Sequence, residues 1–242
     1  MTIGAVLGEA WSLYTRFFAR FLVIALIVFA VVNVVYALLD AALYDDDDLS
    51  SATSWILVAI SVAASTIGTF WLQGAFVKAV QDVRDGTFDS TTSEIFGAVT
   101  PVLGTLIVAG ILAGLGIGIG FILLIVPGVI LLTWWAVIAP VIVVEHKGVI
   151  DSFGRSRELV SGFFWPVLGI VLITALLTGV AGGILTAVFS FLPRFLEILI
   201  GATVAQAIVA PFSAIALTLT YFKLREAKEA AATPTAPEPT GL

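Results

Sequence analysis

The sequence predicts an all-α integral membrane protein with six transmembrane helices. Three observations support this fold class: an apolar composition, six apolar runs of membrane-spanning length, and a one-sided distribution of Lys and Arg. Of the 242 residues, 60% are hydrophobic and only 12% are charged, whereas a soluble domain carries about 25% charged residues. The mean hydropathy is +1.13, so lipid must be the solvent for much of the surface.

Six apolar runs define the predicted spans, because about 20 helical residues cross a hydrocarbon core of about 30 Å. They are residues 21–43, 55–80, 102–125, 129–144, 165–190 and 196–222. Pro127 and Gly128 predict a tight turn between spans three and four. Pro140 and Pro211, each preceded by an alanine, predict kinks in spans four and six.

The basic residues predict the orientation. Of the 11 Lys and Arg residues, all except Arg194 fall on one side of a six-span arrangement. Basic loops mark the cytoplasmic side, so we expect a cell-membrane protein with both termini in the cytoplasm. The helical domain is predicted over residues 1–225 and a disordered cytoplasmic tail over residues 226–242. The aspartates at 45–48 then face outward, where such a run is usually solvated but can also bind a hard cation.

The chain also repeats itself. Three units, each an amphipathic segment followed by a helical hairpin, are predicted at about residues 4–80, 88–144 and 148–222. A shift of 65 residues superposes Gly114 and Gly118 of span three on Gly179 and Gly183 of span five, and Asn33 takes the first of these places in span one. Since GxxxG pairs let helices approach closely, we expect spans one, three and five to meet around a pseudo-threefold axis. The same motif also joins separate chains, so a homo-oligomer or a membrane protein partner stays open.

Composition excludes several chemistries. The chain has no Cys and one His, which excludes disulfides, thiolate sites and zinc sites with two imidazole ligands. The net charge of −6 disfavours nucleic acid as a partner. Asn33, Gln73 and Gln206 lie within spans, where they are expected to hydrogen-bond between helices or, alternatively, to line a permeation path. We expect no cofactor and no catalytic activity.

Amphipathic segments at residues 3–18 and 148–164 are predicted to form helices in the membrane interface. In the second, Asp151, Arg155 and Glu158 are spaced to pair at i,i+4 and i,i+3. Both segments are expected to anchor their loops in the lipid bilayer, with contact to a specific lipid or partner as the alternative.

Two segments carry a family resemblance: PGVILLTWWAVIAPVIVVEHKGVIDSFGRSRELVSGFFWPVL, and LTLTYFKLREAKE near the end. They resemble the membrane domain found alone or attached to glycerophosphodiester phosphodiesterases, and related six-span prokaryotic families of unknown function. The acidic balance fits a haloarchaeal member of such families. The matching residues are Pro127, Gly128, Pro140, Glu145, Arg155, Ser156, Leu159, Gly162, Tyr221 and Arg225. The phosphodiesterase activity of that family belongs to a separate soluble barrel, so the resemblance implies a fold and a location and no activity.

Three function classes follow, in this order. The first is a non-catalytic membrane scaffold or accessory module for a partner protein, and the second is a channel or transporter for a small or lipidic solute. The third is a lipid-modifying enzyme, for which only Glu145, His146, Arg155 and Glu158 are available. A polar cavity reaching Asn33 would favour the second class, and a pocket converging on Glu145, His146 and Arg155 would favour the third.

Overall fold

The computed structural model describes residues 2–44 and 52–232, and every regular element in these ranges is helical. The α-helices are α1 (Ile3–Arg16), α2 (Phe18–Tyr44), α3 (Ala52–Asp82), α4 (Thr92–Val99), α5 (Leu103–Leu123), α6 (Ile125–Trp134), α7 (Ile138–Glu145), α8 (Val149–Val160), α9 (Phe164–Phe189), α10 (Arg194–Leu196) and α11 (Thr203–Ala232). Short 3-10 turns cover Val83–Asp85 and Thr100–Val102, and a π-helical turn covers Glu197–Ala202.

Six segments of the described chain are long and apolar enough to cross a membrane. Spans one to six are Phe18–Asp40, Trp55–Asp82, Thr92–Leu123, Ile125–Glu145, Phe164–Phe189 and Arg194–Ala231. Each contains a continuous apolar window of at least 18 residues with few charges, which is the property that a hydrocarbon core selects. The predicted all-α fold with six membrane-spanning helices is confirmed.

Charged residues mark the two ends of the bundle. At one end, which we call the basic end, α1 meets the C-terminal part of α11, and Lys223 Nζ lies 2.6 Å from a carboxylate oxygen of Glu9. At the opposite end, Nε and a terminal guanidinium nitrogen of Arg194 each lie 2.6 Å from the Asp40 carboxylate. Arg194, the one basic residue predicted on the side opposite the others, is therefore paired with a carboxylate at the end of span one.

The turn between spans three and four is not where the sequence predicts it. The chain reverses at Leu124, which is extended (φ −162°, ψ 146°), and α6 begins at the next residue. The predicted turn at Pro127 and Gly128 is wrong because both residues lie at the start of α6, where a proline costs no helical hydrogen bond. Gly128 has a packing role instead, since a Cβ atom there would lie 2.5 Å from Cγ of Phe121.

Span four is broken between α6 and α7, upstream of Pro140 as predicted. Pro140 has no N–H to donate to the carbonyl of Ala136, and its ring crowds that carbonyl. The chain forms a tighter turn at this point, with an i→i−3 hydrogen bond in which the N–H of Ile138 donates to the carbonyl of Trp135 over 3.3 Å.

Span six is irregular at the π-helical turn Glu197–Ala202 and not at Pro211, which lies inside α11 without interrupting it. The helix also continues to Ala232, so the prediction of a disordered tail is wrong for residues 226–232. Alanine and i,i+4 ion pairs favour helix here; Arg225 Nε lies 2.7 Å from Glu229 Oε1. Residues 233–242 lie outside the described residues.

Span six is central in the bundle. It packs against spans one, two and five and against α1, and its residues Ile215, Ala216 and Leu219 share a core with Phe21 and Phe76. Span three packs mainly against spans two and four. The predicted axis at which spans one, three and five meet is therefore wrong.

Candidate functional site

A cluster of charged and hydrogen-bonding side chains joins α7, α8 and α11 at the basic end. Arg155 Nε donates to both carboxylate oxygens of Glu145, over 3.0 and 3.2 Å, and the Tyr221 hydroxyl donates to the same carboxylate over 3.0 Å. A terminal guanidinium nitrogen of Arg155 also donates to Glu158 over 3.1 Å. Four residues that carry the family resemblance or the predicted helical pairing thus converge, although Arg155 bonds Glu145 and Glu158 rather than Asp151.

The central ion pair of this cluster is largely shielded from solvent. The side chain of Glu145 is 13% exposed and that of Arg155 is 24% exposed. Burial disfavours the charged guanidinium, but the hydrogen bonds to Glu145 and Glu158 outweigh it and raise the pKa of Arg155 above its ordinary value. The cluster holds the last turn of span four against span six.

Ser156 stabilises the break in span four. Its hydroxyl, which is fully buried, donates to the carbonyl of Trp134 over 2.7 Å. That carbonyl ends α6 and loses its usual donor, because the N–H of Ile138 bonds the next carbonyl along. The Arg157 guanidinium lies 4.4 Å from the centre of a Trp134 ring, so two consecutive residues of α8 contact the break.

A cavity of about 200 Å³ lies among spans two, four and six, next to the break. Ala136, Ala139 and Pro140 of span four form one wall, and no charged side chain lines the cavity. Gln73 and Thr69, one helical turn apart on span two, form a polar patch on another wall. Within the described part of the chain neither of these two side chains has a hydrogen-bond partner.

A groove of about 460 Å³ runs between spans five and six. Its lining consists mainly of small residues and hydroxyl groups, together with Phe29, Val209 and the amide of Gln206. Gln206 is exposed and accepts a long hydrogen bond of 3.5 Å from Asn33, whereas its own amide nitrogen has no acceptor among the described residues. The groove adjoins the cavity at Phe29, Ala210 and Ser213.

Asn33 lies in a helix contact that the sequence does not predict. Its side chain is 4% exposed and its amide donates to the Thr203 hydroxyl over 3.1 Å. Span one therefore presents its polar residue to span six and not to spans three and five. Asn33 lines neither the cavity nor the groove.

The four glycines predicted to pack spans three and five together do not do so. A Cβ atom added at Gly114, Gly118, Gly179 or Gly183 would meet nothing within 4 Å. Gly114, Gly118 and Gly183 have open space where a side chain would begin, and Gly179 lines the open groove between spans five and six. The prediction of close packing within the chain is wrong for all four.

The glycines that do pack are ones that sequence reasoning missed. A Cβ atom at Gly116 would lie 2.6 Å from the Trp135 ring, and one at Gly120 would lie 3.0 Å from Cα of Gly128. Gly116 and Gly120 form a second GxxxG pair, interleaved with the predicted one. The available signal was therefore the alternation GLGIGIG itself, which offers two opposite glycine faces without indicating which one is buried.

The remaining predicted features can be placed briefly. Among the described residues, no three His, Cys, Asp or Glu side chains come together as metal ligands. The aspartates at 45–48 lie outside the described residues. Glu145, His146 and Arg155 line neither the cavity nor the groove. His146 instead ends α7 in the left-handed conformation, with a φ of 53°.

Comparison with known proteins finds no match, either to a protein-family model, to a curated protein or to a solved structure. The fold and the composition define a multi-pass α-helical membrane protein. The polar side chains that line the cavity and the groove are uncharged.

Proposed function

We propose that this protein is a non-catalytic membrane module that binds a transmembrane helix of a partner protein in the groove between spans five and six. The observation that carries the proposal is the exposed amide of Gln206 within a span, surrounded by small residues. The groove is lined by Ala175, Gly179, Gly182, Ala202, Ala205 and the hydroxyl residues Thr178, Thr186 and Ser213. The one-sided placement of Lys and Arg supports a cell-membrane location with both termini in the cytoplasm.

The chemistry of the groove fits a helix better than a lipid tail. Small residues let a second backbone approach closely, and amide groups hydrogen-bond across helix contacts. An acyl chain offers no acceptor to the Gln206 amide nitrogen, and an unsatisfied amide in hydrocarbon costs several kcal/mol. A partner helix supplies both the acceptor and the surface that covers Gly179 and Gly182.

Site-specific crosslinking tests this proposal. A photoreactive amino acid at Thr186, in the groove, is compared in native membranes with one at Ile122, which is 85% exposed at the turn between spans three and four. We expect one stoichiometric protein to crosslink at position 186 and not at position 122. A second copy of this chain as the only crosslinked protein, or lipid alone, would contradict the proposal.

A pair of glycine variants provides the matched control. A Cβ atom added at Gly182 or at Gly104 would meet nothing within 4 Å, so we expect Gly182→Leu and Gly104→Leu both to fold. Only Gly182→Leu fills the groove, and we expect it to abolish the crosslink while Gly104→Leu preserves it. Equal crosslinking by both variants would exclude the groove as the binding site.

The uncharged cavity beside the break in span four favours a second candidate function, transport of a small or lipidic solute, because broken helices often line transporter sites. Purified protein in liposomes should then accelerate passage of an uncharged solute across the bilayer.

The lipid-modifying enzyme remains the weakest candidate. The resemblance to the phosphodiesterase membrane domain stays a proposal and adds no activity to any of these readings.

A further inference from the structure

The polar groups of the cavity are concentrated on one wall. Ser213 and Thr218 also line it, but their hydroxyls donate to the carbonyls of Ala210 and Ala214 in their own helix. Gln73 and Thr69 are left as the groups available to a ligand. The rest of the lining is mainly apolar and includes Phe29 of span one, Leu217 of span six and, beside the polar pair on span two, Leu72 and Phe76.

This arrangement selects a class of ligand. A molecule that fits must have one polar group, directed at span two, and an apolar remainder. The polar group must be uncharged, because an unpaired charge in apolar surroundings costs far more than an unpaired amide and no ionisable side chain lines the cavity. The volume of about 200 Å³ greatly exceeds the roughly 10–15 Å³ that a single water requires.

We propose that this cavity binds the head of an uncharged lipid, through its hydroxyl or carbonyl oxygen, by hydrogen bonds to Gln73 and Thr69. The apolar part of the head lies against Phe29 and Phe76, and the acyl chains of the lipid lie in the surrounding bilayer. The site adjoins the groove that a partner helix would occupy but has its own polar groups, since Gln73 lines only the cavity and Gln206 lines only the groove.

The test uses a photoreactive diacylglycerol, which carries one free hydroxyl, with the full-length protein in nanodiscs. Unlabelled diacylglycerol should compete for labelling, whereas phosphatidic acid with identical chains should compete at least about tenfold less well. A tenfold ratio corresponds to losing about one hydrogen bond, and the unpaired charge of phosphatidic acid widens it further. Equal competition by phosphatidic acid, competition by glycerol, or labelling that no lipid competes for would each overturn the proposal.

Variants locate the binding site. Gln73→Leu should reduce labelling by roughly tenfold, and Thr69→Val, which keeps the shape and removes the hydroxyl, should reduce it several-fold. Gln206→Leu is the matched control because it removes the exposed amide of the adjoining groove; it should leave lipid labelling intact while weakening the crosslink to a partner. If Gln73→Leu fails to fold, the labelling of Thr69→Val tests the binding site instead. Unchanged labelling in the folded variants, or a loss only in Gln206→Leu, would overturn the site.

Discussion

At the level of single residues, two serines of α8 look alike in the sequence and differ in their contacts. Both Ser152 and Ser156 are fully buried. The Ser152 hydroxyl donates to the carbonyl of Val149, one turn back in its own helix, whereas the Ser156 hydroxyl reaches the carbonyl of Trp134 in another helix. Only the second bond satisfies a group that the backbone leaves without its regular donor.

We therefore predict different costs for the two alanine variants. Ser156→Ala should lower the free energy of unfolding by about 1–3 kcal/mol, since it leaves the Trp134 carbonyl buried without its donor. Ser152→Ala should change it by less than about 0.5 kcal/mol, because the helix keeps its backbone bonds and alanine favours helix. Reversible denaturant unfolding in bicelles measures both. Equal losses of unfolding free energy in the two variants would show that the bond to the Trp134 carbonyl contributes no more to stability than the bond within α8.

At the level of elements, span three shows how one sequence pattern supports two arrangements. Glycines two positions apart on a helix are separated by about 200° around its axis, so the pairs Gly114 with Gly118 and Gly116 with Gly120 lie on nearly opposite faces. The structure buries the second pair against α6 and Trp135 and leaves the first pair open. The open pair remains available to a second chain or to lipid.

This leads to a prediction about alanine substitutions in span three. Gly120→Ala should lower the free energy of unfolding by about 1–3 kcal/mol, because its methyl group would meet the backbone of Gly128, which cannot rotate away. Gly118→Ala, two residues earlier and on the open face, should be neutral or stabilising by up to about 1 kcal/mol. Thermal unfolding in detergent distinguishes them. Destabilisation by Gly118→Ala in the purified monomer would contradict this packing.

At the level of the whole molecule, charge is separated between the two ends of the bundle. The basic end holds α1, α8 and the C-terminal turns of α11, and the opposite end holds the ion pair of Arg194 with Asp40. An electrostatic asymmetry of this kind orients a membrane protein, because basic loops stay on the cytoplasmic side. The fold brings the basic residues to one end of the bundle, and their positions determine how the protein is oriented in the membrane.

The orientation can be measured with single cysteines, since the chain contains none of its own. Ser190→Cys lies at the opposite end and Asp151→Cys at the basic end, and both positions are exposed. In intact cells a membrane-impermeant maleimide should label Ser190→Cys at once, and it should label Asp151→Cys only after permeabilisation. The reverse pattern would place the basic end outside.

The sequence by itself determined the all-α membrane fold and the six spans. Both follow from local physics, because a segment in lipid must satisfy its own backbone hydrogen bonds and needs about 20 apolar residues to cross. The break upstream of Pro140 was equally local. Glu145, Arg155, Ser156 and Tyr221 stood out through the family resemblance, but their convergence and the bond of Ser156 to the Trp134 carbonyl did not.

Only the tertiary structure decided which face of each span is buried. The spans are apolar on all sides, so hydrophobic periodicity, which reveals the inner face of a helix in a soluble protein, carries no such information here. Contacts between distant segments decide three features. Asn33 bonds to Thr203, and Gly116 and Gly120 pack instead of Gly114 and Gly118. Gln73 of span two lines the same cavity as the break in span four. Packing complementarity between whole helices, and not the pattern along any one of them, selects those contacts.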